Sequence, residues 1–221
     1  MDCRRTTSID PPRDDAEARA GVKLTKVKNT GGFETWADKD IEKYRAQHPL
    51  GTRPRLALEL LYGTMQHRGD VVRLGRQHVQ DGVISLRQNK TGAPVDIPVL
   101  PELQAAMDAM PNDHLTFLTT EEGKPFSAAG FGNWFRQQCD LAGVSRSAHG
   151  LRKAGATRLA EHGCTDHEIM AWGGWVSLTE VQRYTRAANR KRLAHAAAGK
   201  LKAGTEFANL ETRLAKQGKK P

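Results

Sequence analysis

Cysteine is scarce in this chain of 221 residues, and Cys3, Cys139 and Cys164 lie far apart. Three scattered thiols exclude a disulfide framework and fit a reducing compartment, so a cytoplasmic location is expected. Long apolar runs are missing as well: none approaches the ~20 residues of a bilayer span, so no membrane partner is expected. The polar start, MDCRRTTSIDPPRDD, lacks the features of a signal peptide. The eight histidines and three cysteines form neither a CxxC pair nor an HExxH arrangement, so neither a metal nor another cofactor is expected. No internal repeat and no low-complexity tract is found.

What is there is ordinary in bulk and uneven in charge. A hydrophobic content of 38% and a charged content of 27% suit one or two domains with a real core. The net charge is +9, and the excess is local: residues 1–140 carry 19 Lys/Arg and 19 Asp/Glu, whereas 141–221 carry 15 against 6. A basic final third is the electrostatic footprint expected for a polyanionic partner. Lys216, Lys219 and Lys220 read as solubilising charge at its end.

Residues 1 to about 30 mix charges with Pro11, Pro12, Gly21, Gly31 and Gly32 and show no sustained apolar period, which predicts a linker or arm. Order is expected from Phe33. The segment WADKDIEKYRAQHP reads as a short helix, and Thr52 with Pro54 opens a second one with Leu56, Leu60 and Leu61 on its apolar stripe. Val71, Val72 and Leu74 continue the core. From Val83 to Pro98 the chain alternates apolar and polar residues on both sides of Asn89-Lys90-Thr91-Gly92, which predicts a β-hairpin with Lys90 near its tip.

Further along, Pro101 starts a helix through Met110, Leu115–Leu118 is expected as a brief strand, and Ser127 caps a helix toward Leu141. Ser147 is expected to cap a helix carrying His149, which Gly163 ends. Thr165 with Glu168 and Ser177 with Glu180 have capping-box spacing and start two more helices. Trp175 then falls in a turn, and Tyr184 about two turns into the last helix.

These placements bring together residues suited to phosphate chemistry. A tyrosine titrates near ~10, so as a nucleophile it needs neighbours that take its proton and neutralise a phosphorane. His149 and Arg152, three apart, project from one helix face and can do both. The order His149-Gly150-Leu151-Arg152, then Gly174-Trp175, then Tyr184 nine residues on, resembles the carboxy-terminal half of the catalytic domain of tyrosine recombinases, the phage integrase family. The likeness runs from about Phe33 to Leu193, through FETWADKDIEKY, LALELLYG, GDVVRLGRQHV, ISLRQNKTG and VDIPVLPEL.

The resemblance implies a mainly α fold of the α+β kind, a helical catalytic domain with one small antiparallel sheet. It implies a site-specific recombinase or integrase that cuts double-stranded DNA without metal, through a 3′-phosphotyrosyl intermediate, as a homotetramer on DNA. Carried over by position, Tyr184 is the nucleophile and Arg152 clamps the phosphate oxygens. His149 moves a proton or touches phosphate, Lys90 protonates the leaving 5′-oxygen, and Trp175 takes a position that is often His. The domain is expected over residues 31–203, between the arm of 1–30 and a basic tail of 204–221.

Two departures qualify the likeness. The family pattern sets its first arginine three residues ahead of an acid; here the acid is Asp70, three ahead is His67, and Arg68 follows, in a stretch that reads one residue longer than usual. Either Arg68 reaches the phosphate or His67 holds the place with impaired catalysis. Family members also carry a helical DNA-clamping domain upstream, so a truncated product or a fragment is expected. The alternative to a cutting enzyme is therefore a degenerate form that binds DNA or sister recombinases without cleavage. A type IB topoisomerase, sharing the chemistry, is a third reading.

Overall fold

The computed structural model describes residues 33–111 and 113–217, with the side chains of residues 203 and 205–217 left undescribed. The expected arm over residues 1–30 and the last basic residues lie outside the described residues. Within them the fold is mostly helical with one small sheet. Helices α1 (Asp38–Gln47), α2 (Arg53–Thr64) and the short α3 (Arg68–Val71) lead through a 3-10 turn at Arg76–His78 into β1 (Val79–Gln80), β2 (Val83–Arg87) and β3 (Pro94–Pro98). Then follow α4 (Pro101–Asp108), α5 (Ala128–Leu141), α6 (Ala148–Glu161), α7 (Asp166–Gly173) and α8 (Leu178–Gln217).

Local chemistry explains most of these boundaries. Thr52 accepts a hydrogen bond from Arg55 N and Pro54 stands in the first turn of α2, while Ser127 accepts from Gly130 N at the start of α5. Thr165 and Glu168 form a reciprocal capping box at α7. The hairpin forms with Val83 opposite Pro98 and Arg87 opposite Pro94, turning through Asn89–Gly92 as expected. Its neighbour β1 pairs antiparallel on the other edge of β2, a two-residue strand too short to carry a pattern of its own.

Two expectations are corrected. Leu115–Leu118 is not a strand: the segment bends, Leu115 is 76% exposed while Leu118 is buried, and Phe117 N reaches Leu74 O at 2.8 Å as a single backbone bond. This short apolar segment, paired with no strand among the described residues, settles as a loop pinned at one point. Ser147 stands at the N-cap of α6, but its hydroxyl does not cap the helix and is buried without a partner among the described residues. The first turn closes instead through its carbonyl, which accepts from Gly150 N at 3.0 Å and from Trp36 Nε1 at 2.8 Å.

Helix α6 is the axis of the packing. Residues Gly150 to Ala156 and Ala160 are buried, so it lacks the one-sided apolar stripe of a surface helix. Gly155 permits its close approach to α2, since a Cβ there would lie 2.5 Å from Met65 Cγ and 2.9 Å from Tyr62 O. One apolar cluster, with Tyr44, Leu56, Leu58, Ile84, Ile97, Phe131 and Phe135, fills the space between α1, α2, α4, α5, α6 and the sheet. Each such side chain contributes about 1.5–3 kcal/mol by leaving water. A second, around Met65, Ala156, Ile169, Trp175 and Val181, seats α7 and the start of α8 on α6.

From Leu193, itself 57% exposed, to Lys202 every residue of the last helix is exposed. It continues to Gln217 through the segment expected as a basic tail. No helix among the described residues is long and apolar enough to cross a membrane.

Candidate phosphate-binding site

Arg152, one turn into α6, is a buried cation with 5% exposure. A guanidinium out of water is tolerable only if its N–H groups find acceptors. Its Nη1 donates to Gly173 O at 2.9 Å and to Met65 O, and its carbon lies 3.8 Å from the centre of the Trp175 ring. Burial pulls its pKa down to about 10, against the pull of Glu180, Tyr184 and Asp70, so it keeps its charge at neutral pH. Met65 is held in the left-handed region at φ 54°, a conformation costly for a residue with a Cβ. That bend ends α2 and turns Gln66 and His67 toward α6.

The glycine turn after α7 places Trp175. Gly174 has φ 69° and closes the helix with its N–H on Met170 O at 2.8 Å. A Cβ at Gly174 would come within 2.4 Å of Gln88 Nε2, so both conformation and space require glycine. Trp175 is buried with Nε1 unpartnered among the described residues, and its ring centre lies 6.0 Å from that of Tyr184. Arg152, Trp175 and Tyr184 thus lie in a row, the two rings tilted at 47° to each other. Tyr184 is half-buried, and burial followed by the charge of Glu180 raises its phenol above the usual 10, with Arg152 and Arg183 opposing.

Around Arg152 opens a cavity of about 440 Å³, lined among others by Phe33, His67, Arg68, Asp70, Lys90, Arg136 and His149. Five of the six expected residues are therefore near one another in two groups: Arg152, His149, Lys90 and Arg68 line the cavity, while Trp175 backs Arg152. The sixth, Tyr184, lies beyond Trp175 and is not among the lining residues. His149 packs against Phe33 at 5.1 Å between centroids, and burial with the charges of Lys153 and Arg152 lowers its pKa from the usual 6.5.

His67 and Arg68 separate here. The His67 ring lies 5.9 Å from that of His149, nearly parallel at 22°, and burial first, then the charges of Arg152 and His149, lower its pKa, with Asp70 opposing and Lys90 adding. Arg68 instead runs along α5, where a Cβ at Gly132 would meet its Nη1 at 2.5 Å. Both residues line the cavity, and His67 is the one grouped with Arg152.

Sequence reasoning missed a buried amide relay. Gln88 Nε2 donates to Gln66 Oε1 at 2.6 Å and to Gly173 O at 2.7 Å, and its Oε1 accepts from Thr91 Oγ1 at 2.7 Å. The hairpin turn bearing Lys90 is thereby tied to the same carbonyl that Arg152 holds. Parity carried a signal for it, because Gln88 follows Ile84 and Leu86 on the inward face of the strand. Asp166 of α7 is a second missed anchor: its Oδ1 accepts from Thr185 at 3.1 Å and Asn189 at 3.2 Å, fixing α8 just beyond Tyr184. Among the described residues no cluster of metal-ligating side chains occurs.

A buried arginine thus lies beside a cavity lined by basic side chains, with Trp175 against it and Tyr184 beyond, in a mostly helical fold. The profile of the phage integrase family matches residues 39–191, and the chain belongs to that family. No curated protein sequence matches it. Among solved structures, XerA recombinase superposes with a TM-score of 0.64 at 19% identity, over 80% of this chain and 69% of that one. A lambda integrase dimer bound to a COC′ core site gives 0.59 at 22% identity over 69% and 47%, and a lambda integrase tetramer bound to a Holliday junction gives 0.56 at 26% over 66% and 48%. The chain spans about half the length of those lambda integrase chains.

Proposed function

We propose that this chain is the catalytic part of a DNA strand-transferase that cleaves and rejoins duplex DNA through Tyr184. The Tyr184 oxygen attacks a phosphodiester, the bond from phosphorus to the 5′-oxygen breaks, and a 3′-phosphotyrosyl link forms. His149 receives the phenol proton, Lys90 delivers one to the departing 5′-oxygen, and the same steps reversed on a partner strand rejoin the backbone. Arg152 and the Trp175 N–H would meet the charge that develops on the non-bridging oxygens. The observation that carries this reading is the row Arg152, Trp175, Tyr184 beside the cavity lined by basic side chains. Copies of the chain would assemble on DNA, with the exposed Leu193 side of α8 as the meeting surface.

A second reading, a family member that binds DNA without cutting, is favoured by one feature: His67 stands with Arg152 where the family pattern has an arginine. A pool of duplexes with randomised sequence and a single nick separates the two. A cutting enzyme loses the short fragment beyond the nick and stays covalently attached; detergent-stable adducts from the wild type and none from Tyr184→Phe are expected. Equal retention of DNA by both proteins with no adduct from either would establish the binding-only form.

A further inference from the structure

The cavity beside Arg152 gathers cations from four elements: His67 and Arg68 from the start of α3, Lys90 from the hairpin turn, Arg136 from α5, and His149 with Arg152 from α6. Asp70 is the only carboxylate among its lining residues, and its Oδ1 is already engaged by Arg73 at 2.9 Å and Asn89 N at 2.8 Å. Its Oδ2 is buried without a partner among the described residues.

Among the basic lining residues the two imidazoles, His149 and His67, can gain or lose their charge, and of the two His67 stands three residues ahead of Asp70, where the family pattern has its first arginine. The ring is half-buried, stacks on His149 at 5.9 Å, and forms no hydrogen bond among the described residues. Either nitrogen is thus free to donate once protonated.

We propose that a phosphodiester entering this cavity draws one proton from solvent onto His67, which then serves as a phosphate-binding cation alongside Arg152. The proposal rests on reading the cavity as the DNA-phosphate site. In the unliganded protein, burial first and then the Arg152 and His149 charges hold the imidazole's pKa down to about 4, with Asp70 opposing and Lys90 adding to the depression. It is neutral at pH 7, and an arriving anion favours the protonated ring by its own charge, offsetting the Arg152, His149 and Lys90 contributions and working against the burial cost. The balance is simple: one proton is taken up as the phosphate binds and is returned when it leaves.

The inference is tested with the full chain and dimethyl phosphate, a monoanion throughout the neutral and mildly acidic range, so any pH dependence belongs to the protein. Histidine ring NMR follows binding, with the His67 signals identified by their loss in His67→Gln. Between about pH 7.5 and 5.5, wild-type affinity is expected to rise toward the ~10-fold per pH unit that one coupled proton gives. His67 shifts should move to imidazolium values at saturation. The His149→Gln variant should keep the His67-dependent slope, His67→Gln should lose it, and His67→Arg should bind at neutral pH as tightly as the acidified wild type.

Affinity independent of pH in the wild type, or the same slope in His67→Gln, would overturn the proposal. Adducts at Tyr184 without a His67-dependent gain in acid leave strand transfer standing and remove this inference. Acid-dependent dimethyl phosphate binding without adducts does the reverse.

Discussion

The Arg152 guanidinium carbon lies 3.8 Å from the centre of the Trp175 ring, and the indole N–H of that ring is buried with no partner among the described residues. The cation–π contact holds the guanidinium against the ring, and the unpartnered N–H marks one place for an incoming acceptor. Trp175→Phe keeps the stack and loses the donor. It should fold normally and lower single-turnover cleavage by about 100-fold or more, the scale of losing one preorganised donor. Trp175→Ala removes both, and should also lower stability by about 3–5 kcal/mol in urea.

Gln88 links the hairpin to the Arg152 side of the site. Replacing it by Ala leaves Gln66 Oε1 and Thr91 Oγ1 without their bonds at 2.6 and 2.7 Å. The expected cost is about 1–3 kcal/mol in chemical denaturation. Cleavage should fall further than stability, because Lys90 loses its fixed approach. A 5′-thiol leaving group, which needs no protonation, should restore much of the lost rate; failure of that rescue would place the defect elsewhere.

Stability of the DNA-free protein should carry the mark of His67. Its folded pKa, about 4, lies below the ordinary 6.5 of an unfolded histidine, so the unfolded chain binds the proton more readily. The contribution is therefore complete above 6.5 and is lost as pH falls from there toward 4. His149, also depressed, acts in the same direction. Urea midpoints taken across that window should fall less steeply for His67→Gln than for the wild type; parallel curves would show that His67 titrates normally.

Glu180 raises the Tyr184 phenol and sits one helical turn ahead of it on α8. Glu180→Gln should lower the phenol's pKa, seen by ultraviolet titration, and shift the alkaline limb of the cleavage profile toward neutrality. An unshifted titration would show that solvent screens the pair completely.

Beyond the core, the exposed part of α8 tests assembly. A chain ended after Leu201 should keep its melting temperature and lose higher-order complexes on DNA in sedimentation. Unchanged assembly would remove α8 as the meeting surface.

Much of the fold was legible because it is written locally. Thr52 with Pro54, Ser127, and Thr165 with Glu168 set helix starts through bonds within one turn. The hairpin follows from alternation on both sides of Asn89–Gly92. Leu115–Leu118 has the apolar content of a brief strand but pairs with none among the described residues, and pairing is a property of two segments rather than one. Ser147 had a capping residue's identity, yet Trp36 from over a hundred residues away decided what its carbonyl does.

In the site, the order of His149, Arg152, Trp175 and Tyr184 was readable, since three helices and a glycine turn fix it. The choice between His67 and Arg68 was not, because one residue turns a side chain by ~100° around a helix. The start of α3, set by the left-handed Met65 just upstream, places them apart. Gln66 was invisible for a different reason, since it lies outside any periodic segment and only tertiary packing buries it, whereas the inward parity of Gln88 was a signal that its polar side chain masked.

The most direct measurement is the identity of the amino acid joined to DNA. Adducts trapped on nicked duplexes, digested with nuclease and trypsin, should yield a nucleotide on the short peptide Tyr184-Thr185-Arg186, released by cleavage after Arg183 and Arg186. A nucleotide found there, and absent from Tyr184→Phe, is the expected result. Attachment at any other residue, or persistence of the adduct in Tyr184→Phe, would contradict strand transfer through Tyr184.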